Sequence, residues 1–168
     1  MLDDIDVKII GLLQVSGRMS FTELARVTGL SVSAAHQRVR RLEQRGVIRG
    51  YSAIIDAAAV GLELTAFVAM IPGDATAVDA VPGQLLDVPE VEACHSVAGM
   101  ESYLLKVRTR SPGALEALLA ELRRRCGMTT RTTVVLSTPF EGRPCMATSR
   151  PTPDPAYAPD PGQVGGQP

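Results

Sequence analysis

The spacing of apolar residues changes partway along this chain from a helical repeat to a strand-like repeat, which limits the folds that it can adopt. Between residues 2 and 46, apolar side chains recur every three or four positions, as on one face of an α-helix. From residue 62 onward they largely alternate with polar ones, as in half-buried strands, with helical stretches between. The sequence therefore predicts an α+β protein in which a helical domain precedes a domain built on a sheet.

Three helices are predicted in the N-terminal part of the chain. The first covers residues 2–13 and opens with acidic side chains, which suit the positive end of a helix dipole. Ser20 begins an S-x-x-E capping pattern at the second helix, and Ser31 caps the third, which Gly46 ends. Two short helices joined by a turn, the second of them basic, predict a helix-turn-helix, to which residues 47–55 add a short strand or wing. The buried face of the third helix is predicted to contain Val32, Ala35, Val39 and Leu42.

Positive charge is concentrated in this winged helix-turn-helix. Residues 16–51 contain seven arginines and two glutamates, a net charge of +5, although the whole chain has a net charge of −1. A basic helix-turn-helix predicts binding to double-stranded DNA, and the alternative is a solvated charged helix face. Base edges are predicted to be read by Ser33, Ala34, His36 and Gln37 on the exposed face of the third helix. Phosphates are predicted to be contacted by Arg38, Arg40 and Arg41, although an arginine can also read guanine.

The second half of the chain is predicted to be a ferredoxin-like sandwich. Strands are predicted at residues 62–70, 91–97, 102–109 and 129–136, with helices at residues 76–86 and between Ser111 and Gly127. Pro82 is expected to kink or shorten the first of these helices. The resulting β-α-β-β-α-β order leaves one sheet face without helices, and apolar side chains there predict packing against another subunit. Those side chains are Phe67, Ala69, Ile71, Cys94, Leu104 and Val135.

The predicted domains are therefore residues 1–56 and 62–140, with a hinge at residues 57–61. Residues 141–168 are predicted to be a disordered tail, because seven of the twelve prolines lie there among Gly, Ser and Thr. No apolar run is long enough to cross a bilayer, and the three cysteines lack metal or disulfide spacing, so a cytoplasmic protein without membrane contact is expected. His36 and His95 lie in different domains, and no metal, cofactor or catalytic site is predicted. His95 is predicted to be a core or pocket-wall histidine on the second strand of the sheet.

Several segments in both halves match, in order, those of a known family. They are LSVS at 30–33, RVRRLE at 38–43, GVIRGY at 46–51, VPEV at 88–91, YLLKV at 103–107 and TRTTVVL at 130–136. On these segments the chain resembles the leucine-responsive regulatory protein/AsnC (Lrp/AsnC) family over residues 1–140. The resemblance implies a sequence-specific DNA-binding regulator of transcription that forms homodimers and higher oligomers. It also implies a small effector, an amino acid or a related molecule, bound where effector domains meet.

The turn after the second effector-domain strand departs from the family pattern. The family usually has Gly-Asp-x-Asp-Tyr there, whereas this chain has Gly99-Met-Glu-Ser-Tyr103. Met100 and Ser102 replace two acids that would bind an amino-acid ammonium. We therefore expect weak or absent binding of the common amino acids, or else a different effector with a more apolar or less cationic head group near Met100. The effector residues that the resemblance implies are Gly99, Met100, Ser102, Thr130 and Thr132.

Two other functions stay open on the sequence. A DNA-architectural protein that binds no effector would share the basic helix and would fit the missing acids. Some tetrapyrrole decarboxylases resemble the same two-domain family, so the fold alone does not exclude an enzyme. Such an enzyme would need basic and histidine side chains around a large acidic substrate, for which the second domain offers only His95 and scattered arginines. A regulator without enzymatic activity is therefore the favoured prediction.

Overall fold

The computed structural model describes residues 1–73 and 78–144, and it divides the chain into two compact units. The first unit contains Met1–Ala53 together with residues from Phe140 onward, and the second contains Ile54–Pro139. The predicted hinge at residues 57–61 falls inside the second unit, where Ala58–Val60 form a single 3₁₀ turn. Most of the predicted tail, residues 145–168, lies outside the described part of the chain.

Three helices form the first unit, and each begins at a side-chain cap, as the sequence predicts for the second and third; the first begins at Asp4 and not at residue 2. Asp3 caps the first helix, Ser20 the second and Ser31 the third. The reciprocal capping box forms at Asp3 and Asp6, whereas Ser20 accepts one bond from the Glu23 amide at 3.2 Å. The helices are α1 (Asp4–Val15), α2 (Phe21–Thr28) and α3 (Val32–Gln44).

The core of this unit joins the inward faces of all three helices. Ile9 of α1, Leu24 of α2 and Leu42 of α3 are fully buried. Ala35 and Val39 complete the α3 contribution. Val32, predicted to join them, is 48% exposed, because it lies in the first turn of α3, where the helix projects beyond the core.

The predicted strand at residues 47–55 is wrong, since no strand is assigned anywhere in Met1–Ala53 or at the two residues that follow. The apolar, β-branched composition favours a strand, but the backbone donors are used elsewhere. Val47 and Ile48 both donate their amides to the Leu42 carbonyl, at 2.9 and 3.2 Å, and so close the C-terminal end of α3. The helix-turn-helix of the described chain therefore has no wing strand.

The second unit is a four-stranded antiparallel sheet with its helices on one face. Its chain order is β-α-β-β-α-β, as predicted, and the strand order in the sheet is β2-β3-β1-β4. Pro82 lies in the first turn of α4, a single α-helical turn that follows a 3₁₀ turn at Val78–Ala80. Residues 76 and 77 of the predicted helix at 76–86 lie outside the described residues. The elements are β1 (Leu64–Ile71), α4 (Val81–Gln84), β2 (Val91–Ser96), β3 (Tyr103–Thr109), α5 (Pro112–Cys126) and β4 (Thr129–Val134).

Alternate residues of the central strands fill the core beneath the helices. Val68 of β1 and Leu105 of β3 are paired across the sheet and are fully buried. Leu118 and Leu122 of α5 cover them, and Ser111 caps that helix by accepting from the Ala114 amide at 3.2 Å. The opposite alternation, which includes Phe67, Ala69 and Leu104, gives the sheet a second face that we call the open face, and the register confirms its predicted apolar residues on β1 and β3.

A β-bulge in the edge strand β2 corrects the predicted orientation of two side chains. The register shifts between Val91 and Ala93, so one extra residue stands in β2. Beyond the bulge Cys94 is opposite Leu105 and faces the helices, although simple alternation puts it on the open face. His95 is opposite Leu104 on the open face and is exposed, so it is not the core or pocket-wall histidine that the sequence predicts.

Candidate DNA interface and effector region

The exposed side of α3 is mostly polar, because the apolar residues after its first turn, Ala35, Val39 and Leu42, are buried in the core. Ser33, His36, Gln37 and Arg40 are exposed, and Ala34 is half-buried. The Ser31 hydroxyl accepts from the Ala34 amide at 3.2 Å and lies 3.1 Å from the Ser33 hydroxyl, which orders the first turn. These exposed residues therefore project from a capped and well-packed helix.

His36 is supported from the neighbouring helix. Its ring meets the ring of Phe21, at the start of α2, edge to face with centroids 4.7 Å apart and planes at 85°. Phe21 is not one of the buried core residues and is 39% exposed. The contact holds the imidazole against α2 at the surface, so its orientation depends on the angle between the two helices of the helix-turn-helix.

Arg38 and Arg41, two of the three predicted phosphate contacts, have acidic partners at the start of α1. The Arg38 Nη1 atom donates to Asp3 Oδ2 at 2.6 Å and to Asp6 Oδ1 at 2.8 Å. Arg41 Nη2 donates to both carboxylate oxygens of Asp6 at 3.4 Å. We call these four residues the acid-arginine cluster, and it connects α1 to α3.

The cluster is built around a carboxylate that water does not reach. Asp6 is 1% exposed, and a buried carboxylate is stable in its charged form only beside positive groups and hydrogen-bond donors. The hydrogen bond from Arg38 holds the pKa of Asp3 below its ordinary value, and the same bonds raise the pKa of Arg38. The sequence signal for the cluster is the matching three-residue spacing of Asp3 and Asp6 with Arg38 and Arg41.

Arg40 differs from its neighbours because its guanidinium points away from the acids. It is exposed and has no hydrogen-bond or ion-pair partner among the described residues. Of the three predicted phosphate contacts, Arg40 alone thus presents an uncompensated positive charge within that part of the chain.

The residues that follow α3 are attached to its last turn. The Tyr51 hydroxyl donates to Glu43 Oε1 at 3.0 Å. Burial of the phenol and this bond to a carboxylate raise the pKa of Tyr51 to about 12. The Tyr51 hydroxyl, protonated at neutral pH, thus attaches the segment after Gly46 to the last turn of α3.

In the second unit, the turn at Gly99 is closed by an ion pair that the sequence analysis missed. The Arg131 guanidinium on β4 donates to Glu101 Oε1. Glu101 also folds over Gly99, where an added Cβ would lie 3.2 Å from its Oε2 atom. Arg131 pairs with Ala69 in the sheet and therefore projects from the open face. The sequence signal is the alternation of side chains along β4, which puts Arg131 on the face opposite to Thr130 and Thr132.

The predicted effector residues are only partly brought together. Gly99, Met100 and Ser102 share the turn, and Met100 is 80% exposed. Thr130 and Thr132 pair with Met70 and Val68, so they face the helices and not the open face that bears Arg131. Thr130 instead accepts a hydrogen bond from Arg123 at 3.0 Å. The two threonines therefore lie on the opposite side of the sheet from Arg131.

The described residues contain few other groups that could bind a metal ion or react. Across residues 1–73 and 78–144, no three His, Cys, Asp or Glu side chains are arranged to hold a metal ion. Burial raises the pKa of the Cys126 thiol, which disfavours the reactive thiolate. No helix in the same part of the chain is long and apolar enough to span a membrane.

Comparison with known proteins identifies the family. The model of the AsnC-type helix-turn-helix domain matches residues 2–43, and that of the Lrp/AsnC ligand binding domain matches residues 65–145. The transcriptional regulator LrpA of Mycobacterium tuberculosis is 50% identical over 142 residues, which cover 84% of this chain and 95% of LrpA. The leucine-responsive regulatory protein of Salmonella typhimurium is 37% identical over 139 residues, covering 80% of this chain and 85% of that protein. The chain belongs to the Lrp/AsnC family of helix-turn-helix transcriptional regulators.

Solved structures agree with both units. A feast or famine regulatory protein from M. tuberculosis, solved in complex with L-methionine, has a TM-score of 0.84 and 49% identity, covering 87% of this chain and 99% of that one. A transcriptional regulator of Neisseria meningitidis, also in complex with L-methionine, has a TM-score of 0.78 and 26% identity, covering 84% of this chain and 94% of that one. The fold and the family found by sequence resemblance are therefore confirmed.

Proposed function

We propose that this regulator binds specific sequences of double-stranded DNA through α3, as a homo-oligomer in the cytoplasm. The observation that supports this most directly is the exposed polar face of α3, held by caps and core contacts in an AsnC-type helix-turn-helix. Such a helix enters the major groove with the side chains of its N-terminal half against base edges. Ser33, Ala34, His36 and Gln37 read bases, and Arg40 contacts a phosphate. Arg38 and Arg41, predicted for the same role, share their charge with Asp3 and Asp6.

Two variants distinguish the base-reading from the phosphate-binding positions of α3. Gln37→Ala should lose about 1–3 kcal/mol against a duplex enriched by the wild-type protein and little against mixed-sequence DNA. Arg40→Ala should weaken both and flatten the dependence of log affinity on log salt by about 0.9, the value for one phosphate. Arg124→Ala, an exposed arginine on α5, is the matched control. Unchanged binding in both α3 variants would remove this helix from the interface.

Self-association is assigned to the open face of the sheet. Phe67 is 37% exposed there, beside Ala69 and the half-buried Leu104. A sheet face with apolar side chains and no covering helix is stabilised by packing against a second copy, and isologous contact of this kind produces a dimer. The same surface supports the prediction of a homodimer.

An amino acid is the proposed effector, and its site is the Glu101–Arg131 pair together with the turn at Gly99. A zwitterion has one positive and one negative end, and these two side chains present the two complementary charges. Glu101 thus supplies the counter-charge for an ammonium that Met100 and Ser102 lack. The two relatives solved with L-methionine support this class of ligand.

Calorimetry of the full chain with L-methionine and L-leucine tests the effector site. Wild-type protein should release or absorb heat with at least one of them, and Glu101→Gln should weaken that binding about tenfold to a hundredfold by removing one charged hydrogen bond. Glu116→Gln, an exposed acid on α5, should leave it unchanged. Equal affinity in wild-type protein and Glu101→Gln, or no binding of any of the twenty amino acids, would contradict the assignment.

A further inference from the structure

The acid-arginine cluster changes how much of the positive charge near α3 is available to DNA. Residues 16–51 alone have a net charge of +5, but residues 1–51 contain eight basic and five acidic side chains, a net charge of +3. The acids that make this difference belong to α1, and two of them bind arginines of α3 directly. The charge that a phosphate meets is therefore set partly by α1.

Arg38 and Arg41 are held to different degrees. The Arg38 side chain is 24% exposed and donates at 2.6 and 2.8 Å to two acids, whereas the Arg41 side chain is 52% exposed and donates at 3.4 Å. Asp6 needs at least one of them, because an uncompensated buried carboxylate is strongly unfavourable. Arg41 can turn to a phosphate while Arg38 stays, but the loss of Arg38 would leave Asp6 with only the longer contacts.

We infer that Asp3 and Asp6 are positioning residues that withhold Arg38 from DNA and thereby limit sequence-independent binding. The inference rests on the proposed function and adds a determinant of its specificity. Phosphate contacts strengthen binding to every sequence, whereas base contacts discriminate between sequences. An arginine kept on Asp3 and Asp6 orients α3 against α1 without adding to the affinity for random DNA.

Asp3→Asn is the most direct test, because asparagine keeps the N-cap of α1 and removes the charge. The measurement is the affinity of the full chain for a labelled mixed-sequence duplex between 50 and 200 mM salt. Asp3→Asn leaves Arg38 with Asp6 alone and so makes it easier to draw to a phosphate. Full transfer of Arg38 to one phosphate would steepen the slope by about 0.9 and raise the ratio of affinities at the two salt concentrations about 3.5-fold, so a steepening up to that limit is expected. The ratio of specific to non-specific affinity should fall. Asp6→Asn should act in the same direction and more strongly.

Asp4→Asn is the matched control, since Asp4 is exposed in the same helical turn and has no partner among the described residues. It removes the same charge from α1 without freeing an arginine. In the double variant Asp3→Asn with Arg38→Gln, the slope should return to that of the wild-type protein, because the added contact belongs to Arg38.

The outcomes separate this inference from the proposed function. Slopes in Asp3→Asn and Asp6→Asn equal to that of Asp4→Asn would overturn the inference while DNA binding through α3 still stood. A steeper slope that persists in the double variant would also overturn it. A purely structural role for the cluster would lower stability and all affinities without changing the slope, and if Asp6→Asn fails to fold, Asp3→Asn decides the matter.

Discussion

Two uncovered surfaces of this molecule, the exposed side of α3 and the open face of the sheet, differ in the side chains that they present to water. On α3 the exposed residues include Gln37 and Arg40, and the apolar stripe beyond the first turn lies in the core. On the sheet, Phe67 stays partly exposed opposite Lys106. A polar surface is stable in water until a polyanion binds it, whereas an apolar one favours association. DNA binding and self-association are therefore expected to be separable properties of the two units.

The largest expected effect comes from opening a cavity in one core at a time. Leu42→Ala in the first unit and Leu105→Ala in the second should each destabilise their own unit by about 2–5 kcal/mol, because both side chains are fully buried. Leu42→Ala should abolish DNA binding and leave self-association intact. Differential scanning calorimetry with sedimentation velocity measures both properties. A single transition shifted equally by either substitution would show that the units do not unfold separately.

A charge on the open face should affect the second surface alone. Phe67→Glu is expected to weaken self-association about thirtyfold or more, since truncation of a central aromatic side chain costs about 2 kcal/mol or more and a glutamate adds a desolvation penalty. Leu86→Glu, at an exposed leucine after α4, is the control. Sedimentation equilibrium gives the constants. If Phe67→Glu associates as strongly as the control, the subunits meet through another surface.

A smaller effect is expected at high pH, in the first unit only. The pKa of Tyr51 is raised to about 12 by burial and by its bond to Glu43, above its value of about 10 in an unfolded chain. The protonated phenol therefore contributes stability in full below pH 10, and this contribution is lost as the pH rises to about 12. Because Tyr51 is half exposed, the amount is about 1 kcal/mol or less. Tyr51→Phe should remove this pH dependence from the unfolding midpoint of the first unit, and an identical alkaline profile in the variant would contradict the assignment.

How much the sequence predicts depends on whether the signal is local. Ser31 and Ser111 mark the starts of α3 and α5 because a cap acts within one turn of a helix, and both were predicted correctly. The strand predicted at residues 47–55 is wrong, because composition does not reveal that the amides of Val47 and Ile48 donate to the Leu42 carbonyl. A strand also needs a partner, which no local pattern specifies.

Side-chain orientation in the sheet and at the candidate sites depends on the same kind of non-local contact. The β2 bulge turns Cys94 to the helix side, and a single extra residue is invisible to simple alternation. Thr130 lies in the predicted strand, but its face is set by pairing with Met70, which precedes it by about 60 positions in the chain, and spacing rules do not address contacts of that range. The Arg38–Asp6 bond likewise joins helices distant in sequence, so charge counting alone assigned Arg38 to DNA.

The central claim, that α3 reads DNA sequence, is tested most directly by selection of bound duplexes from a random pool. Wild-type protein and Gln37→Ala are carried through the same selection, and the enriched sequences are compared position by position. We predict that the wild-type protein enriches a defined motif and that Gln37→Ala loses preference mainly at one position of each half-site, because one side chain contacts one or two base edges. An identical motif from both proteins, or no enrichment by the wild-type protein, would contradict the claim.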